Sequence, residues 1–246
     1  MFEPKQRRVA FIGDVHGAIQ ELNELIEKIE SDGDTFFVLL GDLVDRGPDS
    51  EGVIRRVMRL TKDGRGVSIC GNHDWKAWKK GYVQGLNKEN IALSDKARNF
   101  LGTLKPYLKV RDMLAVHGGL YPALFDSYKD LPQPHCDWMT SKKRSQDRLR
   151  RLMFVRRIDE RGHKTANVHA PGTQWAKLYD GRLGVAFYGH DPSYQPRVDK
   201  NAVGLDTAVV YGGHLTSYVV EDDPRDGVFY AVKAKEQYAI NNFEIL

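Results

Sequence analysis

The stretch Arg8-Val9-Ala10-Phe11-Ile12-Gly13-Asp14-Val15-His16-Gly17 is an apolar run that stops at a glycine and then presents an acid and an imidazole two residues apart. Arg8 to Ile12 reads as a short buried strand. Ile19, Leu22, Leu25, Ile26 and Ile29 follow at helical spacing. Asp34 to Leu40 is a second buried strand, and it too ends on glycine, at Gly41-Asp42-Leu43-Val44-Asp45-Arg46-Gly47. Pro48 is expected to open the next helix, with Val53, Ile54, Val57 and Leu60 as its apolar face. Val67 to Cys70 is a third strand, delivering Gly71-Asn72-His73-Asp74. Strand, polar motif, helix, repeated in this way is the rhythm of a mostly parallel α/β sheet. Such sheets build their sites at strand ends.

Two further motifs complete the series, His117-Gly118-Gly119 and Gly189-His190-Asp191. Asp and Asn beside Gly are ordinary turn residues when met singly. Five such motifs in order, with histidines at the partner positions, point instead to a two-metal hydrolase. Asp14 and His16 can reach one metal. Asp42 can bridge two, because a carboxylate has two oxygens. Asn72, His117 and His190 would complete the second. Mixed nitrogen and oxygen donors suit Mn, Fe, Zn or Co better than Ca or Mg. Two such ions about 3.5–4 Å apart lower the pKa of a bridging water and clamp phosphoryl oxygens. Arg46 can fork two N–H groups onto a phosphate. His73, next to Asn72, can protonate a leaving oxygen, with Asp45 fixing its ring.

The rest of the chain is less regular. Residues 75 to about 105 mix Trp75, Trp78, Tyr82, Leu86, Ile91, Leu93, Phe100 and Leu104 with many lysines, and read as a helical insertion. Tyr107–Val110 and Met113–Val116 form an expected hairpin about Arg111-Asp112. The segment 122–175 is the least patterned. Strand signals return at 184–188, 203–205, 208–211, 218–220 and 228–232. The expectation is one domain over 1–246, with insertions near 75–105 and 122–175.

Composition sets the outer limits. The chain has 246 residues, 41% hydrophobic and 28% charged, as in an ordinary water-soluble protein. It contains no apolar run of membrane-spanning length, roughly 18 residues, and a strand begins too early for a signal peptide. Cys70 and Cys136 have no metal-type spacing, so a reducing, cytoplasmic setting is expected, with no membrane partner. The net charge of +4 is localised. Residues 142–157 hold Lys142, Lys143, Arg144, Arg148, Arg150, Arg151, Arg156 and Arg157 against Asp147, for +7; the remaining 29 basic and 32 acidic residues give −3. Eight positive charges nearly unopposed suggest polyanion binding, against the bland alternative of a solvated helix face. His135, His163 and His169 read as surface residues. The tryptophans read as packing rather than as stacking platforms.

The ordered motifs resemble the phosphoprotein phosphatase superfamily of calcineurin-like metallophosphoesterases. The likeness runs from residue 8 to about 120 and resumes near 182. The strings at 47–50 (GPDS), 188–191 (YGHD), 204–208 (GLDTA) and 211–216 (YGGHLT) are most similar to its diadenosine-tetraphosphatase-like (ApaH-like) branch. The resemblance implies a central β-sandwich flanked by helices, where strand counting alone predicts a single doubly wound sheet. It implies a first metal on Asp14, His16 and Asp42, and a second on Asp42, Asn72, His117 and His190, with manganese the expected ion. It implies Asp45 and His73 as a general-acid pair, and Arg46 as a phosphate clamp. A second clamp falls on Arg156, with Arg157 a near alternative. The family's third motif usually ends in Glu where this chain has Asp74, and His214 has no assigned role. The expected activity is hydrolysis of phosphoanhydrides in dinucleoside polyphosphates, nucleotide-capped RNA or polyphosphate. The alternatives are a serine/threonine phosphoprotein phosphatase, or a non-catalytic polyanion-binding protein on this scaffold; the intact ligand set argues against the last.

Overall fold

β1 (Arg8–Ile12) and β2 (Thr35–Leu39) are buried on both faces, and their residues divide alternately between two cores. In the computed structural model, which describes residues 2–124, 130–165, 167 and 170–240, Val9, Phe11, Phe36 and Val38 join one apolar cluster. Ala10, Ile12, Phe37 and Leu39 join the other. The pleat imposes this division, since successive side chains of a strand point to opposite faces. A strand buried on both faces must be apolar throughout, and this is why these runs were so legible.

The elements follow in order: α1 (Ile19–Glu30), α2 (Ser50–Lys62), β3 (Gly66–Ser68), α3 (Asn72–Lys80), β4 (Tyr82–Gln84), β5 (Asn90–Ala92), α4 (Asp95–Thr103), β6 (Tyr107–Val110) and β7 (Met113–Val116). Then come α5 (Arg144–Arg151), β8 (Arg157–Ile158), β9 (Lys164–Thr165), β10 (Thr173–Gln174) and α6 (Trp175–Leu178). The described chain closes with β11 (Val185–Tyr188), β12 (Arg197–Asp199), β13 (Ala202–Gly204), β14 (His214–Val220) and β15 (Val228–Lys233). One five-stranded sheet has the order β15-β14-β1-β2-β3, and a second has β12-β13-β11-β7-β6. Phe11 of the first stacks on Phe187 of the second, ring centroids 4.0 Å apart and nearly coplanar. The architecture is therefore a sandwich of two sheets with helices outside. The single doubly wound sheet predicted by strand counting is corrected, because apolar runs report burial but not the sheet to which a strand belongs.

Within each sheet three strands are parallel: β1, β2 and β3 in one, and β7, β11 and β13 in the other. All five motifs leave the C-terminal ends of parallel strands, so they meet at one edge of the sandwich. α1 and α2 cover the outer face of the first sheet through Leu22, Leu25, Ile26, Ile29, Val53, Ile54 and Val57. α2 starts at Ser50, two residues later than expected. The Asp49 side chain accepts from Gly52 N at 2.7 Å, and an N-cap carboxylate satisfies an otherwise orphaned donor. Pro48 lies just ahead of that cap.

The stretch expected as a helical insertion contains two helices and a hairpin, β4 paired with β5. The run 208–211, expected as a strand, is instead a 3-10 turn over Val209–Tyr211. Ala208 has φ +63°, a left-handed conformation that breaks extended pairing. The hairpin at 107–116 forms as expected. Residues 157–174 build a small sheet, β10-β8-β9. His135 and His163 are exposed as expected, while His169 lies outside the described residues. Trp138 and Trp175 are buried, and Trp138 Nε1 donates to Leu104 O, so packing is their use. Among the described residues no helix is long and apolar enough to cross a membrane.

The basic block is far less free than its composition suggests. Arg150 donates to the carbonyls of Trp138 and Ser141 at 2.7 and 2.8 Å, and Arg150 and Arg151 both pair with Asp147. Three of its arginines occupy the last turn of α5, where cations complement the helix dipole. Lys142, Lys143, Arg144 and Arg151 are exposed.

Candidate metal centre

Asp42 is the midpoint of the cluster. One carboxylate oxygen, Oδ2, lies 3.6 Å from His16 Nε2, and the other, Oδ1, lies 3.4 Å from His117 Nε2. His16, Asp42 and His73 form one group of convergent donor atoms, and Asp42, His117 and His190 form another. The two groups share Asp42. Asp14 adds a carboxylate 3.9 Å from His16 Nε2, and Asn72 Oδ1 lies 3.1 Å from His117 Nε2. All six residues expected to hold metal are thus brought together, and all are at least nine-tenths buried.

Glycines make this convergence possible. A Cβ on Gly189 would sit 2.0 Å from Asp14 Oδ1, the atom that accepts from His190 N. Gly41 has φ +91°, and a Cβ there would meet Gly71 N at 2.5 Å. His16, Asp42, Asp45, Arg46 and His190 also have positive φ. Non-glycine residues held in this region mark over-determined backbone, which clusters at functional sites.

Each imidazole is oriented by its other nitrogen. His16 Nδ1 bonds Val44 O and His117 Nδ1 bonds Leu40 O, both at 2.8 Å. Carbonyl partners of this kind fix the tautomer of metal-ligating histidines. Burial, with Arg46 beside it, holds His16 well below the usual imidazole range. Burial, with Arg156 and His117, does the same for His190. Both rings are therefore neutral, with lone pairs to offer. His117 differs: burial would lower it, but Asp42 and Asp14 overcome this and lift it to about 9. Burial, reinforced by Asp206 and Asp42, raises Asp14 well above the usual carboxylate range. Buried carboxylates crowded in this way call for a cation. Among the described residues His190 Nε2 has no hydrogen-bond partner although it is buried, the condition of a donor atom awaiting a ligand.

The remaining expected residues ring the cluster. His73 Nδ1 bonds Asp45 Oδ2 at 2.6 Å, and Asp45 Oδ1 accepts from Gln84 N at 2.7 Å. Arg46 Nη1 bonds His16 Nε2 at 2.8 Å, and Nη2 bonds His73 Nε2 at 3.0 Å. Arg156 Nη2 donates to His190 O at 2.7 Å, and its Nε lies 3.3 Å from Asp191 Oδ1. Arg157 instead donates to Gly172 O. Of the two candidate arginines, Arg156 is the one held against the cluster.

A calcineurin-like phosphoesterase family model matches residues 7–215, most of the chain. The chain belongs to this family. It is accordingly a metal-dependent hydrolase of phosphate bonds, and the calcineurin-like phosphoesterases use divalent metals. It is 28% identical over 239 residues to an asymmetrical bis(5'-nucleosyl)-tetraphosphatase PrpE of Oceanobacillus iheyensis, covering 86% of this chain and 88% of that one. It is 30% identical over 220 residues to the PrpE of Halalkalibacterium halodurans, covering 84% and 87%. Among solved structures it is similar to one provisionally described as a diadenosine tetraphosphatase, with TM-score 0.68, 26% identity, and 94% and 96% of the two chains covered. A serine/threonine phosphatase of Saccharomyces cerevisiae, 17% identical with TM-score 0.61 over 96% and 84% of the chains, shares the fold.

Two residues of this phosphoesterase were missed by the sequence reading. Asp206 is buried just beyond β13 and acts on Asp14 electrostatically. A carboxylate directly after a parallel strand was the signal, the same one that marked Asp14 and Asp42. Asp74 was read as a departure from the family pattern without consequence. It is fully buried and accepts from Gly71 N and Leu43 N, both at 2.9 Å, tying two motif loops together. His214 opens β14 and pairs through its backbone with Thr207, outside both donor groups.

Proposed function

We propose that this phosphohydrolase is dinuclear and acts on phosphoanhydrides of the dinucleoside tetraphosphate type. The observation that carries the metal count is the sharing of Asp42 between two donor groups, one oxygen toward each. The donor set fits two divalent ions: neutral imidazoles at His16 and His190, excess buried carboxylate, and an orphaned His190 Nε2. Asp14, His16 and Asp42 would hold one ion, and Asp42, Asn72, His117 and His190 the other. Nitrogen and oxygen donors together favour Mn, with Fe, Zn or Co as alternatives.

When bound, the two ions lower the pKa of a water molecule and neutralise phosphoryl charge. The chain's own residues do the rest. With a divalent ion on His16, Arg46 would be released from Nε2, and its fork could then hold a phosphoryl oxygen. Arg156, pinned by Asp191 and the His190 carbonyl, supplies the second clamp. His73 is held at Nδ1 by Asp45, and its Nε2 accepts from Arg46; once Arg46 has turned to the phosphate, Nε2 would take a proton from solvent and pass it to the departing oxygen. The substrate class rests on relatives named as bis(5'-nucleosyl)-tetraphosphatases, which match nearly end to end. Cys70 and Cys136 are both free thiols, which supports a reducing, cytoplasmic setting.

The test is metal content per chain together with turnover of diadenosine tetraphosphate, nucleotide-capped RNA, polyphosphate and a phosphoserine peptide in Mn²⁺. Two ions per chain and fastest turnover of the dinucleotide are expected. Preference for the phosphopeptide would overturn the substrate assignment, and full activity with one ion would overturn the dinuclear centre.

A further inference from the structure

An open groove of about 640 Å³ is lined by Arg157, Gln174, Lys177, Arg197, Val198 and Asp199 among others, and Asp191 links it to the candidate metal centre. Its volume falls within the roughly 300–1,000 Å³ usual for small-molecule sites. Its charge is positive, three cations against Asp199. The groove and the centre meet at Asp191. From the groove, Arg197 Nη1 donates to Asp191 Oδ2 at 2.9 Å and to its carbonyl at 2.6 Å, and Gln174 Nε2 reaches Oδ2 at 3.5 Å. On the other side, Arg156 lies against Asp191 Oδ1 and the carbonyl of His190. Arg156 and Arg157 are consecutive in an extended segment, so their side chains diverge to opposite faces, one to the centre and one to the groove. Lys177 stands exposed on α6 with no ion pair among the described residues.

A single phosphate held at the two donor groups would have no use for this groove. A phosphate chain would, because charge continues beyond the reacting phosphoryl. We infer that the groove is the subsite for the non-reacting polyphosphate tail of the substrate, which passes Asp191 and lies among Arg157, Lys177 and Arg197. This deepens the phosphoanhydride reading and rests on it. Arg197 holds Asp191, and through it Arg156, so Arg197 is a positioning residue as well. Arg157, which donates to Gly172 O, and Lys177 are the two groove cations with no contact to Asp191 among the described residues. The shared chemistry is the phosphate chain itself, with or without a nucleoside at its far end.

The experiment uses the full chain in Mn²⁺ with nitrophenyl phosphate as reporter. Orthophosphate, inorganic tripolyphosphate and a non-hydrolysable methylene analogue of diadenosine tetraphosphate serve as competitive inhibitors. The variants are Arg157→Gln with Lys177→Gln, and separately Lys177→Glu on the exposed face of α6. The inhibition constants for tripolyphosphate and the dinucleotide analogue should rise by about tenfold in the double variant, with orthophosphate and kcat for the reporter unchanged. Unchanged constants for both long anions overturn the subsite, as does equal weakening of all three inhibitors. Weakening for the dinucleotide alone also overturns it, because the groove would then be reading the nucleoside and not the chain. The parent's own preference between diadenosine tetraphosphate and phosphopeptide decides the underlying reading separately.

Discussion

Arg46 Nη1 lies 2.8 Å from His16 Nε2, the ring nitrogen left free once Nδ1 is bonded to Val44 O. The guanidinium occupies the lone pair that a divalent cation would require, and it reaches His73 Nε2 with its other nitrogen. On the proposed dinuclear reading, arginine and metal compete for His16. Arg46→Ala should lower turnover by about 10²-fold while leaving metal affinity unchanged or tighter. Titration of the apoprotein with Mn²⁺ checks this; weakened metal binding in the variant would contradict it.

Asp42→Asn removes the charge shared between His16 and His117. Metal content should fall below that of the parent, and turnover should be abolished. Elemental analysis and rate, taken on the same preparation, decide the matter. A variant with full metal and near-normal rate would falsify the bridging role.

His73→Asn tests proton delivery. On an alkyl phosphate, whose alkoxide needs a proton to leave, the rate should fall by about 10²–10⁴-fold. On nitrophenyl phosphate the loss should be much smaller. Equal losses on both substrates mean that His73 does something other than protonate the leaving oxygen.

Asp74→Ala leaves the buried N–H groups of Gly71 and Leu43 without their acceptor. The cost should be about 2–4 kcal/mol of stability, read as a lowered denaturant midpoint. Asp74→Asn keeps one acceptor oxygen and should cost less. Equal costs would place the penalty in the lost charge instead of the lost hydrogen bonds.

The basic helix should behave as structure and not as a polyanion trap. Replacing Lys142, Lys143 and Arg144 together with Gln should leave KM for diadenosine tetraphosphate within about twofold of the parent, since exposed charges contribute little singly. Arg150→Ala should cost about 1–3 kcal/mol by stranding the Trp138 and Ser141 carbonyls. A large KM effect from the exposed trio would restore the polyanion reading.

The local sequence was enough to mark the polar residues that the fold brings together. An apolar run that ends on glycine and then shows Asp14, Asp42 or Asn72 is informative because a strand buried on both faces must be apolar, and its end must then turn to polar work. Residue type likewise told which side chains could bind metal, fork onto phosphate or carry a proton. What needed the tertiary structure were relations between distant segments. Asp14 accepts from His190 N across 176 positions of chain, and nothing local to either residue announces it. β7 and β11 pair with each other in a second sheet, which packs on the first where Phe11 stacks on Phe187, whereas the apolar runs of both sheets look alike. Arg156 and Arg157 have the same chemistry, and only strand geometry sends one to the centre and the other to the groove. Asp74 and Arg150 looked like a family departure and a free charge; burial against backbone donors and acceptors from other segments made them structural. Periodicity reports how much of an element is covered. It carries no record of what covers it, and that is decided by packing.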